Sequence, residues 1–359
     1  MRIAVLGAGG IGLGYTAYLT DHGHETIVWS PSGAGTAAFQ NGKTLDASGE
    51  VSGSFLPPIA ASCRAALETA EVVLIAVPGN GHRTVIDQAA PHLRPNQIVI
   101  ISSHCSLSAL YLSKLLVQRG IDVPVVAWPT TYLAARRAGE TGVDISTIRK
   151  ILDVATLPLS AEDRGFEVCQ SLFGDHFQRR SDLLAISLSN LNPTVHMANS
   201  LCNLTRIERA EEWANYDLFT GTVGRLIEAM DVERLAVAEA YGVTVRTIRE
   251  HIHLSFHVPL GPVAEMTDAI HARRGGPPGP KSLDTRYVVE DVPFGLVPSV
   301  AIGRAAGVPM PLHEGGINLF SALYGRDFRS ENDILPELGL ERMNGEELHR
   351  LVGEGWKAE

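Results

Sequence analysis

Apolar residues in the first half of the chain fall in short runs, each followed by a longer segment with a helical pattern. Such runs are too short for helices and rich in β-branched residues, so they predict buried strands. Strands that alternate with helices form a parallel sheet covered on both faces, because parallel neighbours need a crossover connection. The pattern therefore predicts a doubly wound α/β domain with strands at Ile3–Leu6, Thr26–Trp29, Val72–Val77, Ile98–Ile101 and Val123–Ala127.

From about Asp182 this alternation gives way to long segments with apolar residues at helical spacing, which predict an all-α domain. A chain of 359 residues exceeds what a single hydrophobic core usually organises. We therefore expect two domains, residues 1–182 and residues 183–359. The expected helices of the second are Pro193–Trp213, Gly221–Tyr241, Pro262–Arg273, Val292–Ala306 and Leu312–Leu323.

A glycine-rich segment joins the first expected strand to an expected helix, Ile11–His22, and reads Gly7-Ala8-Gly9-Gly10-Ile11-Gly12. It matches G-x-G-x-x-G, in which the first glycine makes a tight turn, the second admits a pyrophosphate and the third lets helix and strand pack closely. The helix N-terminus then faces the phosphates. A glycine-rich turn without a ligand is the alternative, but the strand-turn-helix setting predicts a Rossmann-type NAD(P)-binding domain.

The end of the second strand bears on the choice of cofactor. NAD enzymes usually place an acidic residue about 20 residues beyond the fingerprint, where it holds the ribose hydroxyls. Here the chain has Ser30 and Ser32 and no acid, which leaves room for a 2′-phosphate and favours NADP, with NAD as the alternative. No arginine follows, and Lys43 is the first base. Val77 and Pro78, at the end of another expected strand, should also border the cofactor.

Composition and charge exclude several classes of partner. The net charge of −10 provides no basic field for nucleic acid or an anionic membrane. No apolar stretch reaches the roughly 18 residues of a membrane span. The four cysteines are widely separated and the N-terminus lacks a signal peptide, so we expect reduced thiols and a cytoplasmic location.

A polar stripe runs along the first helix of the second domain. Asn192, His196, Asn199 and Asn203 fall on one helical face among apolar neighbours. Buried amides and imidazoles need partners, so one reading of the stripe is a structural network. A histidine in such a stripe can equally act as an acid or base near neutral pH. The residues alone leave both readings open.

Two carboxylates and an arginine stand before the expected helix Val292–Ala306. Glu290 and Asp291 suit its N-terminus as capping residues, or one of them could orient an imidazole. Arg286 could bind a substrate carboxylate through its two-pronged guanidinium, or lie in a surface ion pair. Three further histidines crowd residues 250–257, but their spacing does not align on one helix face, so we expect no metal site.

Over most of its length the chain resembles the octopine/nopaline dehydrogenases, the opine dehydrogenase family. The resemblance rests on the N-terminal fingerprint, on Asn192-Pro193-x-x-His196, and on Arg286-Tyr287-x-x-Glu290-Asp291-x-Pro293. The family condenses an α-keto acid with the amine of an amino acid and reduces the imine with a nicotinamide hydride. The resemblance implies that His196 is the catalytic histidine and Asp291 its partner.

Substrate contacts are expected from Arg286, Asn192 and Asn199, and the substrates are expected to be an α-keto acid and an amino acid or simpler amine. The alternatives are a ketopantoate-reductase-like or hydroxy-acid dehydrogenase and a non-catalytic NADP-binding sensor. The first usually depends on a catalytic lysine, and lysines are sparse here. The amphipathic helices of the second domain also allow a homodimer.

Overall fold

The computed structural model describes residues 1–357, apart from the side chain of Arg274. The chain forms two compact units. The first comprises Met1–Ile186 and the chain from Arg350 onward, and the second comprises Ser187–His349. We expected the division after residue 182. The units part four residues later, inside a helix, and the end of the chain belongs with the first unit instead of the second.

The end of the chain packs on the first unit through Trp356. Its backbone N–H donates to Ser113 Oγ at 3.3 Å, and Lys114 Nζ lies 5.2 Å from the centroid of its ring. An ammonium group over an indole face is an attractive contact. The sequence does not predict that the end of the chain returns to the first unit, because Gly345–Glu354 has the same helical pattern as the helices before it.

The strands of the first unit include every one that the apolar runs predict, within two residues at either end. They are β1 (Arg2–Leu6), β2 (Glu25–Trp29), β3 (Leu45–Gly49), β4 (Gly53–Phe55), β5 (Val72–Ile75), β6 (Ile98–Ile101), β7 (Val125–Ala127), β8 (Leu133–Ala138), β9 (Gly142–Ile148), β10 (Leu152–Leu157) and β11 (Phe177–Arg179).

Seven of these strands form the central sheet, in the order β11-β10-β7-β6-β5-β1-β2. Neighbours are parallel except for β10, which runs antiparallel to β7. Strands β5 and β6 are buried at every position, because helices cover both faces of a parallel sheet. The expected doubly wound, Rossmann-type domain is therefore confirmed.

The helices of the first unit connect these strands. They are α1 (Gly10–Asp21), α2 (Ala37–Gln40), α3 (Cys63–Leu67), α4 (His82–Ala89), α5 (Ser108–Gln118), α6 (Glu162–Phe173) and α7 (Leu183–Ser189), the last of which crosses into the second unit.

A second, smaller sheet has the order β4-β3-β9-β8, and no pattern in the sequence predicts it. Its hairpin of β8 and β9 packs on α1. A Cβ at Gly10 would lie 2.8 Å from the carbonyl oxygen of Ala135, and one at Gly14 would lie 2.9 Å from the Ala135 side chain. Glycine on this helix face therefore admits the hairpin. None of the four strands of this sheet contains a long apolar run like those of the central sheet, so they resemble loops in sequence.

The second unit is helical, as expected. Its helices are α8 (Asn192–Cys202), α9 (Leu204–Glu208), α10 (Gly221–Ala240), α11 (Ile248–Phe256), α12 (Val263–Arg274), α13 (Arg286–Val289), α14 (Val297–Ala305), α15 (Pro311–Tyr324), α16 (Leu335–Leu338) and α17 (Gly345–Glu354), whose end belongs to the first unit. Among the described residues, no helix has the length and apolarity needed to cross a membrane.

Two expected helices of this unit are interrupted. The one expected at Pro193–Trp213 divides at Asn203, whose side-chain amide donates to the Asn199 carbonyl oxygen at 3.0 Å. Asparagine side chains compete for backbone hydrogen bonds in this way and disfavour continuous helix. The one expected at Val292–Ala306 opens with a π-helical turn, Val292–Leu296, before α14 begins. Such turns are frequent at functional sites.

Candidate active site

The glycine fingerprint has the backbone geometry that a dinucleotide site needs. Gly7 has a backbone φ of +131°, which residues with a side chain rarely adopt. A Cβ at Gly12 would collide with the Gly7 carbonyl oxygen. These two glycines therefore let α1 start directly against β1. A Cβ at Gly9 would meet no atom within 4 Å, so open space lies beside the first turn of the helix. Unpaired N–H groups of that turn suit a pyrophosphate, and the residues fit the cofactor.

The remaining expected cofactor residues lie around the same sheet edge. Ala8 is buried within the fingerprint and Ile11 is half-buried in the first turn of α1. Ser30 directly follows β2, and the exposed Ser32 accepts a hydrogen bond from the Ala34 N–H at 3.3 Å. The two expected at the end of β5, half-buried Val77 and exposed Pro78, precede a short helical turn. In open α/β sheets ligands bind at this carboxyl edge.

The loop after β6 reaches the same edge and holds unusual backbone. Ser103, Ser106 and Leu107 have φ of 67°, 51° and 53°, in the left-handed region that residues other than glycine seldom occupy. Such conformations persist only where the surrounding structure imposes them, and they cluster at ligand sites. The loop also buries His104, while His82 after β5 is buried against Ser108, with Nδ1 and Oγ 3.0 Å apart.

Burial of these two imidazoles predicts acid sensitivity of the fold. Desolvation lowers the pKa of His82 to about 4 and that of His104 to about 3. An unfolded chain protonates histidine near pH 6.5, so below that pH it binds protons that the folded state refuses. The free energy of unfolding should therefore fall from pH 6.5 to 4. Denaturant midpoints against pH measure this fall.

The same measurement on two variants assigns the effect. His104→Phe removes one buried imidazole and should flatten the fall in stability between pH 6.5 and 4. The matched His92→Phe replaces an exposed imidazole and should leave the fall unchanged. Equal pH dependence in wild type and His104→Phe would contradict the assignment.

In the helical unit, the catalytic candidates His196 and Asp291 meet. His196 Nδ1 lies 2.6 Å from Asp291 Oδ2, and the two side chains are 16% and 11% exposed. Asp291 precedes the π-helical turn but makes no capping hydrogen bond to it. With Nδ1–H donated to the carboxylate, the imidazole is held in the tautomer whose Nε2 can accept a proton.

Close packing of the π-helical turn on α8 makes this pairing possible. A Cβ at Gly295 would overlap the ring of Pro193, so the turn can approach the start of α8 only because residue 295 is glycine. Asn332 Nδ2 donates to the Pro293 carbonyl oxygen at 2.8 Å and satisfies it inside the protein. These contacts anchor the π-helical turn that Asp291 directly precedes.

A third residue, Tyr287, completes the site. Its ring stacks on the His196 imidazole with centroids 3.6 Å apart and planes 8° from parallel. Asn215 Nδ2 donates to the Tyr287 hydroxyl at 3.1 Å, Asn199 donates to Asn215 Oδ1, and Asn203 Nδ2 donates to Asn199 Oδ1 at 3.0 Å. We call Asn203, Asn199 and Asn215 the amide chain. The amide chain holds the Tyr287 ring in place, and that ring in turn holds the His196 imidazole.

The amide chain is the buried network that one reading of the polar stripe on α8 predicts, whereas the acid-base role of His196 stays a prediction. Asn199 and Asn203 form a buried network, while His196 reaches a carboxylate. We expected Asn199 to contact the substrate. It is 1% exposed and its side-chain amide donates to Asn215, so it stabilises the residues of the site and does not offer its amide to a substrate. Asn215 was missed, because it lies in an irregular segment with no periodicity.

The other two substrate candidates remain accessible. Asn192 is half-buried at the start of α8, one turn before His196. Arg286 is 61% exposed, and its Nε lies 3.3 Å from Glu290 Oε2 in an i,i+4 pair. Arg286 therefore presents its guanidinium to solvent, whereas its partner Glu290 is only 15% exposed.

The tyrosine stack gives a prediction about turnover. Tyr287→Phe keeps the ring but loses the hydroxyl held by Asn215, and one such hydrogen bond is worth about 0.5–1.5 kcal/mol. We expect kcat to fall about 2- to 10-fold and the pH profile of kcat to shift, because the imidazole is less firmly held. Tyr287→Ala should cost more. Steady-state kinetics against pH measure both effects.

Tyr241→Phe is the matched control, since Tyr241 lies in the same unit and donates to the Ile302 carbonyl oxygen at 3.1 Å. It should change thermal stability but not the pH profile. Wild-type kinetics in Tyr287→Ala would show that the stack has no part in positioning His196.

The fold and the site together define an NAD(P)-dependent oxidoreductase, and comparisons with known proteins name the family. Residues 179–324 match the model of the NAD/NADP octopine/nopaline dehydrogenase alpha-helical domain. Residues 3–103, which lie within the first unit, match the model of ketopantoate reductase PanE/ApbA.

Whole-chain relatives agree with the first match. An opine dehydrogenase of Arthrobacter sp. (strain 1C) is 30% identical over 94% of each chain, and protein ocs of Agrobacterium tumefaciens (strain Ach5) is 24% identical over 98% of this chain and 99% of that protein. The chain therefore belongs to the opine dehydrogenase family.

Solved structures share the fold. Octopine dehydrogenase in complex with NADH and agmatine has a TM-score of 0.80 at 16% identity over 98% of each chain. NADP+-bound yersinopine dehydrogenase has a TM-score of 0.70 at 16% identity over 94% of this chain and 98% of that one.

Proposed function

We propose that the protein is an NAD(P)H-dependent opine dehydrogenase, which joins an α-keto acid to the amine of an amino acid or simpler amine as a secondary amine. The observation that carries the proposal is the contact of 2.6 Å between His196 and Asp291 in a member of this family. Octopine dehydrogenase has been solved with L-arginine, with pyruvate and with agmatine, which supports substrates of these classes.

The proton chemistry of this reaction suits one histidine held by a carboxylate. Attack of the amine on the keto carbon forms a carbinolamine, and loss of water from it forms the imine; each step moves a proton. In the first step His196 Nε2 would take a proton from the attacking amine and pass it to the keto oxygen, which becomes the carbinolamine hydroxyl. In the second step the imidazole, protonated again from solvent, would give a proton to that hydroxyl, which departs as water and leaves the protonated imine; Asp291 stabilises the imidazolium in both steps. The bound nicotinamide supplies the hydride that reduces the imine carbon.

The substrate carboxylates need partners, for which Arg286 and Asn192 are proposed. Arg286 has an exposed guanidinium, from which a planar carboxylate could accept two parallel hydrogen bonds. Asn192 is one turn from His196 on the same helix. Both would orient the substrates toward the imidazole.

We also propose a preference for NADPH over NADH, supported by Ser30, Ser32 and the lack of an acid in the sequence after β2. A homodimer in the cytoplasm is proposed from the sequence alone.

The test is oxidation of NADPH and of NADH with a matrix of keto acids and amines, including pyruvate with arginine or agmatine. We expect turnover only when keto acid and amine are both present, with the secondary amine detected by mass spectrometry. Oxidation at the same rate with keto acid alone would indicate a hydroxy-acid dehydrogenase and overturn the proposal. Cofactor binding without turnover in any combination would indicate a sensor.

A further inference from the structure

One guanidinium bridges the two loops of the first unit that flank the cofactor's adenosine in this fold. Arg137, on β8, donates from Nη1 to the Ala8 carbonyl oxygen and to the Gly35 carbonyl oxygen, both at 3.1 Å. Ala8 belongs to the glycine fingerprint, and Gly35 lies in the loop after β2. A residue 102 positions away from Gly35 in the chain therefore supplies a charge to this loop.

The loop after β2 is where NAD and NADP enzymes differ. An acid there holds the ribose 2′-hydroxyl of NAD, whereas an arginine nearby accommodates the 2′-phosphate of NADP. In this chain residues 30–36 contain neither an acid nor a base. The sequence alone therefore lacked a cation for the phosphate, and the smaller sheet provides one.

We propose that Arg137 is the residue that binds the 2′-phosphate of NADPH and so sets the cofactor preference of this protein. The inference rests on the proposed NADPH preference and names the residue responsible for it.

The hydrogen bonds of Arg137 leave donors for a phosphate. A guanidinium carries five N–H groups in a rigid fork. Two of them bind Ala8 and Gly35, and one on Nη2 binds the Glu140 carbonyl oxygen. Two remain, one on Nε and one on Nη2. The backbone carbonyls thus orient the guanidinium but do not neutralise it, and half-burial of Arg137 limits the screening of its charge.

The neighbouring acid is already engaged. Glu140 Oε2 lies 2.7 Å from Lys43 Nζ, and this lysine, with a smaller contribution from Arg137, lowers the pKa of Glu140. Lys43 is the first base after β2 in the sequence, and the structure shows it paired with this carboxylate. Arg137 is therefore the better candidate for the phosphate.

Two nucleotides that differ only in the 2′-phosphate isolate this contact without turnover. The dissociation constants of 2′,5′-ADP and 5′-AMP are measured by calorimetry for wild type, Arg137→Gln and Arg137→Lys. Gln keeps a donor for the backbone carbonyls but removes the charge, whereas Lys keeps the charge. We expect Arg137→Gln to bind 2′,5′-ADP about 10- to 100-fold more weakly, with 5′-AMP nearly unchanged, since hydrogen bonds to charged groups are the strong ones.

Arg137→Lys should keep most of the discrimination between the two nucleotides. Arg136→Gln is the matched control, because Arg136 is the exposed neighbour on the same strand, and it should match wild type. Equal weakening of both nucleotides in Arg137→Gln would show that Arg137 only ties the loops together. Unchanged binding of both would exclude any role. Either result overturns the inference.

The same data separate this inference from the proposed function. If wild type favours 2′,5′-ADP and Arg137→Gln still does, the inference alone fails. If wild type does not favour 2′,5′-ADP, the NADPH preference fails and the inference fails with it. If Arg137→Gln loses discrimination but wild type turns over no keto acid with any amine, the inference stands and the proposed reaction fails.

Discussion

Replacing His196 by alanine should lower kcat about 10²- to 10⁴-fold, the range that a positioned acid or base contributes. Both carbinolamine formation and its dehydration would lose their proton carrier. Asp291→Asn should also lower kcat strongly, because it removes the charge that stabilises the imidazolium at 2.6 Å. NADPH binding, measured by fluorescence, should stay close to wild type in both variants, since the two side chains lie in the helical unit.

A second histidine provides a matched control for this experiment. His313 Nδ1 lies 2.7 Å from Glu233 Oε2 in the same unit, and His313 is 1% exposed. Removing a buried hydrogen-bonded imidazole destabilises a fold, so His313→Asn should lower the thermal midpoint. It should leave kcat near wild type. Unchanged turnover in His196→Ala would exclude His196 as the acid or base.

Alanine at Gly12 should destabilise the protein without cofactor and alanine at Gly9 should not, although both residues belong to the fingerprint and both variants should bind NADPH more weakly. A methyl group at Gly12 would meet the Gly7 carbonyl oxygen and force α1 away from β1. Overpacking of this kind costs about 1–3 kcal/mol, so Gly12→Ala should lower the thermal midpoint of the protein without cofactor. Cofactor binding should be lost with it.

Gly9→Ala, by contrast, should leave the unliganded fold intact. Gly9 has φ −77°, which alanine adopts without strain, and its Cβ would meet nothing within 4 Å. That open space is where the pyrophosphate approaches the backbone, so NADPH affinity should fall about tenfold or more. Calorimetric unfolding and NADPH titration test both variants. A wild-type midpoint in Gly12→Ala, or wild-type affinity in Gly9→Ala, would contradict this division of roles.

The strands of the central sheet and the fingerprint could be predicted because their signals are local. A run such as Ile98–Ile101 is buried on both faces, and three glycines at fixed spacing describe one turn. The hairpin of β8 and β9 could not, because neither strand contains a long apolar run like those of the central sheet. Its position is set by glycines on α1, which from sequence alone could equally serve other purposes.

The sequence predicted only part of the active site. Helical spacing placed His196 on a polar face, but the residues left open whether that face was structural or catalytic, and only the family resemblance singled out Asp291. Tyr287 lay within the motif that carried the resemblance, yet nothing in the sequence indicates that its ring stacks on the imidazole. Asn215 had no signal at all.

By itself, then, the amino-acid sequence determined the elements that a local pattern of residues marks: the strand runs, the turn at Gly7 to Gly12 and the helical face that carries His196. The tertiary structure alone decided which other distant groups meet: Tyr287 with the imidazole of His196 and with Asn215, and Arg137 with a loop 102 positions away. Periodicity and spacing encode local geometry. Contacts of this range depend on how whole elements pack, and no local pattern records that packing.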